Sequence, residues 1–102
     1  MYWYKKLYYG DSASKLTQKQ IRAIRRGHAF EGIYLVFVSE REGELLEIYS
    51  ALRYPYKHFR KNKRTVVGIA QGYDEALNLV KTIIEDVYNS TGGFKLKDYL
   101  VR

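Results

Sequence analysis

The chain has 102 residues, of which 46% are hydrophobic, and a formal net charge of +7. This length fits one domain, and this apolar content excludes an intrinsically disordered chain. The absence of cysteine excludes a disulfide framework, a thiolate metal site and a cysteine nucleophile, and it agrees with a reducing, cytoplasmic location. No apolar run approaches the roughly 20 residues that span a bilayer, and the N-terminus lacks a signal-peptide core. We therefore expect one cytoplasmic domain, residues 1–102, without integral membrane association.

The first quarter of the chain predicts a strand followed by a helix. Residues 2–9 are rich in aromatic side chains, which favour a pleated, half-buried surface. Residues 13–26 follow a Gly-Asp-Ser break, and Gly27 is placed to end the helix that they predict. The apolar side of this helix consists of Ala13, Leu16, Ile21 and Ile24.

The middle of the chain predicts a hairpin. Residues 33–38 form a continuous β-branched and aromatic run, which indicates a central strand covered on both faces. Residues 40–43 predict a turn, and residues 45–49 return as the antiparallel partner.

A fourth strand and a second helix follow. Residues 65–70 predict the strand, in which Gly68 permits the close approach of a neighbouring group. Residues 74–89 predict a helix with one broad apolar face, begun by Asp74 or Glu75 and ended by a Thr-Gly-Gly sequence.

These elements predict an α+β fold of order β-α-β-β-β-α with a short C-terminal segment. We expect a three- to four-stranded, mostly antiparallel sheet with both long helices on one face. If the first two strands lie in one sheet, the helix between them can make a right-handed crossover. Residues 50–64 are either an extension of the third strand or a functional loop. One contiguous core is expected from Leu16, Ile24, Ile33, Leu35, Phe37, Leu46, Ile48, Val80, Ile83 and Val87.

Three stretches of the chain form a recognisable pattern: YKKLYYGDS (residues 4–12), GIYLVFVSEREGELLEIYSA (residues 32–51) and VVGIAQGYDEALNLVKTIIEDVY (residues 66–88). They resemble a family of short, uncharacterised proteins from Gram-positive anaerobes. The family pattern tends to carry Asn in the hairpin, where this chain has Glu-Arg-Glu at residues 40–42. Because the family has no established activity, the resemblance implies a shared small α+β fold and no catalytic residues.

No pattern in the sequence indicates catalysis. His28 and His58 lie beside basic residues, which oppose a metal dication, and neither has a plausible carboxylate partner nearby in the sequence. The glutamates of the hairpin are more typical of a solvated strand edge than of a metal site. Residues 68–72 resemble a phosphate loop only in their glycines, because the lysine and hydroxyl of such a loop are absent. We predict no enzyme activity, no catalytic residue, no metal and no cofactor.

Two basic clusters are the features that suggest a function. Residues 1–30 carry a net charge of +6 and residues 53–64 another +6, whereas residues 31–52 between them carry −4. In the first cluster, Lys15, Lys19, Arg22 and Arg26 recur along the predicted helix. In the second, Arg60, Lys61, Lys63 and Arg64 can attract phosphates, and Tyr56 and Phe59 can stack on unpaired bases.

These clusters favour a small binding module that contacts nucleic acid as an accessory factor. A solvated helix face and a loop pinned to the core by its aromatic residues explain the same patterns. A second function is a protein-interaction module or homodimer, with the aromatic first strand or the acidic hairpin as its edge. The nucleic-acid hypothesis requires both basic clusters on one side of the molecule.

Overall fold

In the computed structural model, which describes residues 2–28, 30–39, 45–52, 64–93 and 100, four strands form one mixed sheet. The strands are β1 (Tyr2–Tyr9), β2 (Ile33–Val38), β3 (Leu46–Ser50) and β4 (Thr65–Gln71), in the spatial order β1-β4-β2-β3. The helices among these residues are α1 (Gln18–Arg25) and α2 (Tyr73–Thr91), with a short 3₁₀ helix (Ala13–Lys15) before α1. The predicted α+β class is confirmed, and the described elements follow one another as β-α-β-β-β-α.

The pairing of β1 differs from the expectation. β1 pairs with β4 in parallel, whereas β2 is antiparallel to both β3 and β4. The strands β1 and β2 therefore run in opposite directions with β4 between them. The predicted right-handed crossover between the first two strands is wrong, because a crossover of that kind joins parallel strands.

The two helices pack on opposite faces of the sheet, so the expected single-sided arrangement and single core are wrong. On one face, Ile24 of α1 packs with Leu35 and Phe37 of β2. On the other face, α2 packs against Val36 and Val38 of the same strand. A central strand that is apolar at successive positions needs cover on both sides, and the two helices supply it.

The predicted helix over residues 13–26 is divided into two. Leu16 is extended, with φ −64° and ψ 144°, and separates the 3₁₀ helix from α1. Thr17 then caps α1: its hydroxyl accepts from the Gln20 amide at 3.1 Å, while the Gln20 side-chain oxygen accepts from the Thr17 amide at 2.8 Å. This reciprocal capping box begins a new helix at Gln18.

A glycine permits the close packing of α2 on the sheet. A Cβ added at Gly68 would lie 2.8 Å from Cδ2 of Leu79, which confirms the predicted close approach. The residue before α2 is Gly72, at φ 96°, and it provides no side-chain cap. Neither Asp74 nor Glu75 is therefore the N-cap. The predicted C-terminal end is confirmed by Gly92, at φ 74°.

Candidate nucleic-acid interface

The exposed surface of the 3₁₀ helix and α1 is uniformly basic. Residues 13–28 contain five Lys or Arg residues and no Asp or Glu, and all five side chains are exposed. Within the described parts of the chain, none of the five forms an ion pair. We call them the α1 cationic surface: Lys15, Lys19, Arg22, Arg25 and Arg26.

Local contacts hold this surface in place on the sheet. Ile24, which is 1% exposed, anchors the inner side of α1. At the end of the helix the His28 amide donates to the carbonyl of Ala23 at 3.0 Å, and Gly27 takes φ 91°. The guanidinium carbon of Arg25 lies 5.5 Å from the ring centroid of Trp3, a cation–π distance. This contact ties the end of α1 to the edge strand β1.

Among the described residues, the exposed surface of α2 is mostly acidic. The helix α2 contains four acidic residues and one basic residue, Lys81. Of the four acids, Asp74, Glu85 and Asp86 are exposed and Glu75 is half-buried. Because α1 and α2 lie on opposite faces of the sheet, the described residues separate a cationic surface from an acidic one.

The structure assigns Arg64 a place in the interior. Its side chain is 10% exposed and forms a salt bridge with Glu47 of β3. The guanidinium carbon also lies 4.9 Å from the Phe37 ring centroid and 5.2 Å from that of Tyr49. A guanidinium that is buried against two rings and paired with a carboxylate does not project toward a phosphate, so we leave Arg64 out of the candidate interface.

The other predicted residues of the second cluster lie outside the described residues: Tyr56, Phe59, Arg60, Lys61 and Lys63. The described residues on either side of that stretch belong to the α1 side of the sheet. Ala51 is buried in the core beneath α1, and Arg64 covers Phe37 of the same core. The flanking residues Ala51 and Arg64 therefore contact the core on the side that carries the α1 cationic surface.

None of the protein-family models, curated proteins or solved structures compared with this chain matches it. Neither helix in the described part of the chain has the length and apolarity needed to cross a membrane. The described residues also contain no group of three or more His, Cys, Asp or Glu side chains placed to hold a metal ion. Among them, His28 is exposed, just beyond the end of α1.

A carboxylate at the start of α2 joins three segments of the chain. One oxygen of Glu75 accepts from the Ser12 amide at 2.7 Å, and the other accepts from the amides of Gln71 at 2.7 Å and Ala13 at 3.3 Å. Burial raises the pKa of Glu75, but the hydrogen bonds from Gln71, Ser12 and Ala13 outweigh it, so the pKa lies below its ordinary value. A side chain at Gly10 would collide with this carboxylate.

The contacts of Glu75 border an open groove of about 330 Å³ between β1 and α2. Tyr9, Gly10, Asp11, Glu75, Asn78, Leu79 and Thr82 line it. Both oxygens of Glu75 already accept hydrogen bonds from the chain, so the carboxylate acts as a structural bridge. The bridge fixes the start of the 3₁₀ helix, and with it Lys15 of the α1 cationic surface.

Sequence reasoning missed three features of this region. Arg25 belongs to the surface, although it falls outside the i, i+4, i+7, i+11 spacing on which the prediction was based. The capping box had a visible signal, Thr17 followed three residues later by Gln20. The Glu75 bridge had none, because its partners Ser12 and Ala13 lie 63 and 62 residues away in the sequence.

Proposed function

We propose that this protein is a non-catalytic, nucleic-acid-binding accessory protein whose α1 cationic surface contacts the phosphate backbone. The observation that supports this most is the separation of charge between the two faces of the sheet. A phosphate polyanion is attracted to the side of α1 and repelled by the side of α2, so it approaches in one orientation. A cytoplasmic location and kinship with the short Gram-positive proteins are parts of the same proposal.

The mode of contact follows from the side chains that form the surface. Lysine and arginine on an exposed helix neutralise phosphates and release condensed counterions, which makes binding strongly dependent on salt. Such contacts position the protein on the backbone without reading the bases. Lys19, Arg22 and Arg26 lie at i, i+3 and i+7, along one stripe of the helix surface, and can meet successive phosphates.

Reversal of one charge on each helix tests the proposal. Lys19→Glu should lower the affinity for DNA or RNA by about tenfold. It should also reduce the slope of log affinity against log salt concentration by the equivalent of about one to two phosphate contacts. Lys81→Glu makes the same chemical change at an exposed position of α2 and should leave both quantities nearly unchanged. Fluorescence anisotropy with labelled oligonucleotides, repeated at several salt concentrations, measures both.

Single- and double-stranded oligonucleotides of equal length are titrated in parallel, because stacking by Tyr56 and Phe59 would favour single strands. Equal losses of affinity in Lys19→Glu and Lys81→Glu would mean that binding depends only on the net charge of the protein. That result, or wild-type binding that is absent at low salt, would overturn the proposed interface.

A further inference from the structure

The sheet has two edge strands, and they differ in how they are protected. Trp3 and Tyr8 of β1 are five positions apart, but their partners in β4, Val66 and Gly68, are only two positions apart, so the pairing shifts register between them. This irregularity contains the exposed lysines of β1, at positions 5 and 6. Bulges and edge lysines are the devices by which proteins block the addition of another strand. The strand β3, at the opposite edge, pairs with β2 without any irregularity and contains neither lysine nor proline.

The backbone of β3 presents an unused row of hydrogen-bonding groups. The amide of Ala51 donates to Ile33 at 2.8 Å, and the carbonyl of Leu45 accepts from Ser39 at 3.1 Å. Odd-numbered residues of this strand therefore direct their amides and carbonyls toward β2, and the alternation of a strand turns those of the even-numbered residues outward. The even-numbered residues of β3 are Leu46, Ile48 and Ser50. Within the described part of the chain, none of the three forms an outward main-chain hydrogen bond.

We propose that β3 is a dimerisation edge that pairs antiparallel with β3 of a second copy of this chain, about a two-fold axis at Ile48. In this register Ile48 faces itself and Leu46 faces Ser50 of the second copy. The three pairs exchange about six main-chain hydrogen bonds. The strand has five residues, and the main-chain amides and carbonyls of its first, central and last residues point outward. It is therefore complementary to itself about its centre.

The side chains agree with this register. On the α2 face, the half-buried Ile48 gains an apolar neighbour, Ile48 of the second copy, while Leu46 lies opposite Ser50. On the α1 face, Glu47 lies opposite Tyr49 of the second copy, so no like charges are directly opposed. The pairing converts two four-stranded sheets into one continuous sheet and removes both exposed β3 edges.

The symmetry of this pairing has a consequence for the α1 cationic surface. A two-fold axis perpendicular to the sheet leaves equivalent faces on the same side, so the dimer presents two cationic surfaces together and two acidic surfaces on the opposite side. The dimer itself rests on the edge of β3 and not on nucleic-acid binding. Failure of one proposal leaves the other standing.

Ser50→Pro tests the dimer with little disturbance of the monomer. Proline removes an amide that points outward and is tolerated at such edge positions. Ser50→Ala is the matched control, because it removes the hydroxyl and keeps the amide. Sedimentation velocity in high salt, at protein concentrations from about 10 μM to about 1 mM, should show a concentration-dependent dimer for the wild type and Ser50→Ala, and a monomer for Ser50→Pro.

Amide hydrogen exchange identifies the edge that is used. Protection of the Ile48 amide should rise with protein concentration, while the Tyr49 amide, which points toward β2, is protected at every concentration. A wild type that stays monomeric at every concentration would overturn the proposal. So would a dimer that persists in Ser50→Pro, or one in which the exchange of Ile48 does not change.

Discussion

At the scale of single residues, Glu75 is the side chain whose chemistry most affects the fold. Its carboxylate accepts hydrogen bonds from three backbone amides: those of Ser12 and Ala13, which lie 63 and 62 residues away in the sequence, and that of Gln71, just before α2. Glu75→Gln should lower the free energy of unfolding by about 1–3 kcal/mol at neutral pH, because the charged acceptor is lost. Asp74→Asn, in the same first turn of α2, removes a similar charge that makes no such bonds and should have a small effect. Chemical denaturation of the two variants measures the difference.

The lowered pKa of Glu75 also predicts how this difference depends on pH. A carboxyl whose folded pKa lies below its unfolded value stabilises the fold fully above the unfolded value, and the contribution is lost as pH falls through the folded pKa. The difference in the free energy of unfolding between the wild type and Glu75→Gln should therefore be constant near neutrality and shrink below about pH 4.3. A difference in the free energy of unfolding that stays constant down to the pH at which the protein unfolds in acid would contradict this role.

The residues also show why sequence patterns located the charges but not their partners. Arg64 belongs to a basic run, yet its salt-bridge partner Glu47 lies 17 residues away, in β3. Charge spacing along the chain predicts an exposed helix stripe, and Lys19, Arg22 and Arg26 are indeed exposed. It does not reveal a pairing that only the sheet brings about.

At the scale of elements, the capping box decides where α1 begins. Thr17→Ala removes the hydroxyl that accepts from the Gln20 amide and should cost about 1 kcal/mol of stability. For a domain of this size, that loss lowers the melting temperature by about 4–8 °C. Thr17→Ser keeps the hydroxyl and should retain most of the stability that Thr17→Ala loses. Equal melting temperatures for Thr17→Ala and the wild type would show that the cap contributes nothing.

Most of the elements could be predicted, because each has a local periodicity. The bounds of β1 and β2 agree with the prediction, and those of β3, β4 and α2 differ by only one or two residues. The pairing of β1 with β4 could not be predicted, because the two strands are far apart in the chain. The placement of the helices was mispredicted despite a signal in β2, whose successive apolar residues already required cover on both faces.

At the scale of the whole molecule, the proposed nucleic-acid binding depends on the separation of charge across the sheet. One face carries the α1 cationic surface, and the other carries the acids of α2. The β3 edge, if paired as proposed, would add a second copy without mixing these faces. A surface that is positive on one side only gives a nucleic-acid-binding protein a defined orientation, whereas net charge alone does not.

An NMR titration of the ¹⁵N-labelled protein with a short DNA duplex tests this claim most directly. At low salt, the shifts of backbone amides should change along residues 13–28 and should stay unchanged along the exposed side of α2. High salt should abolish the changes, because contacts with phosphates release counterions. Shift changes centred on α2, or changes spread evenly over both faces, would contradict the account.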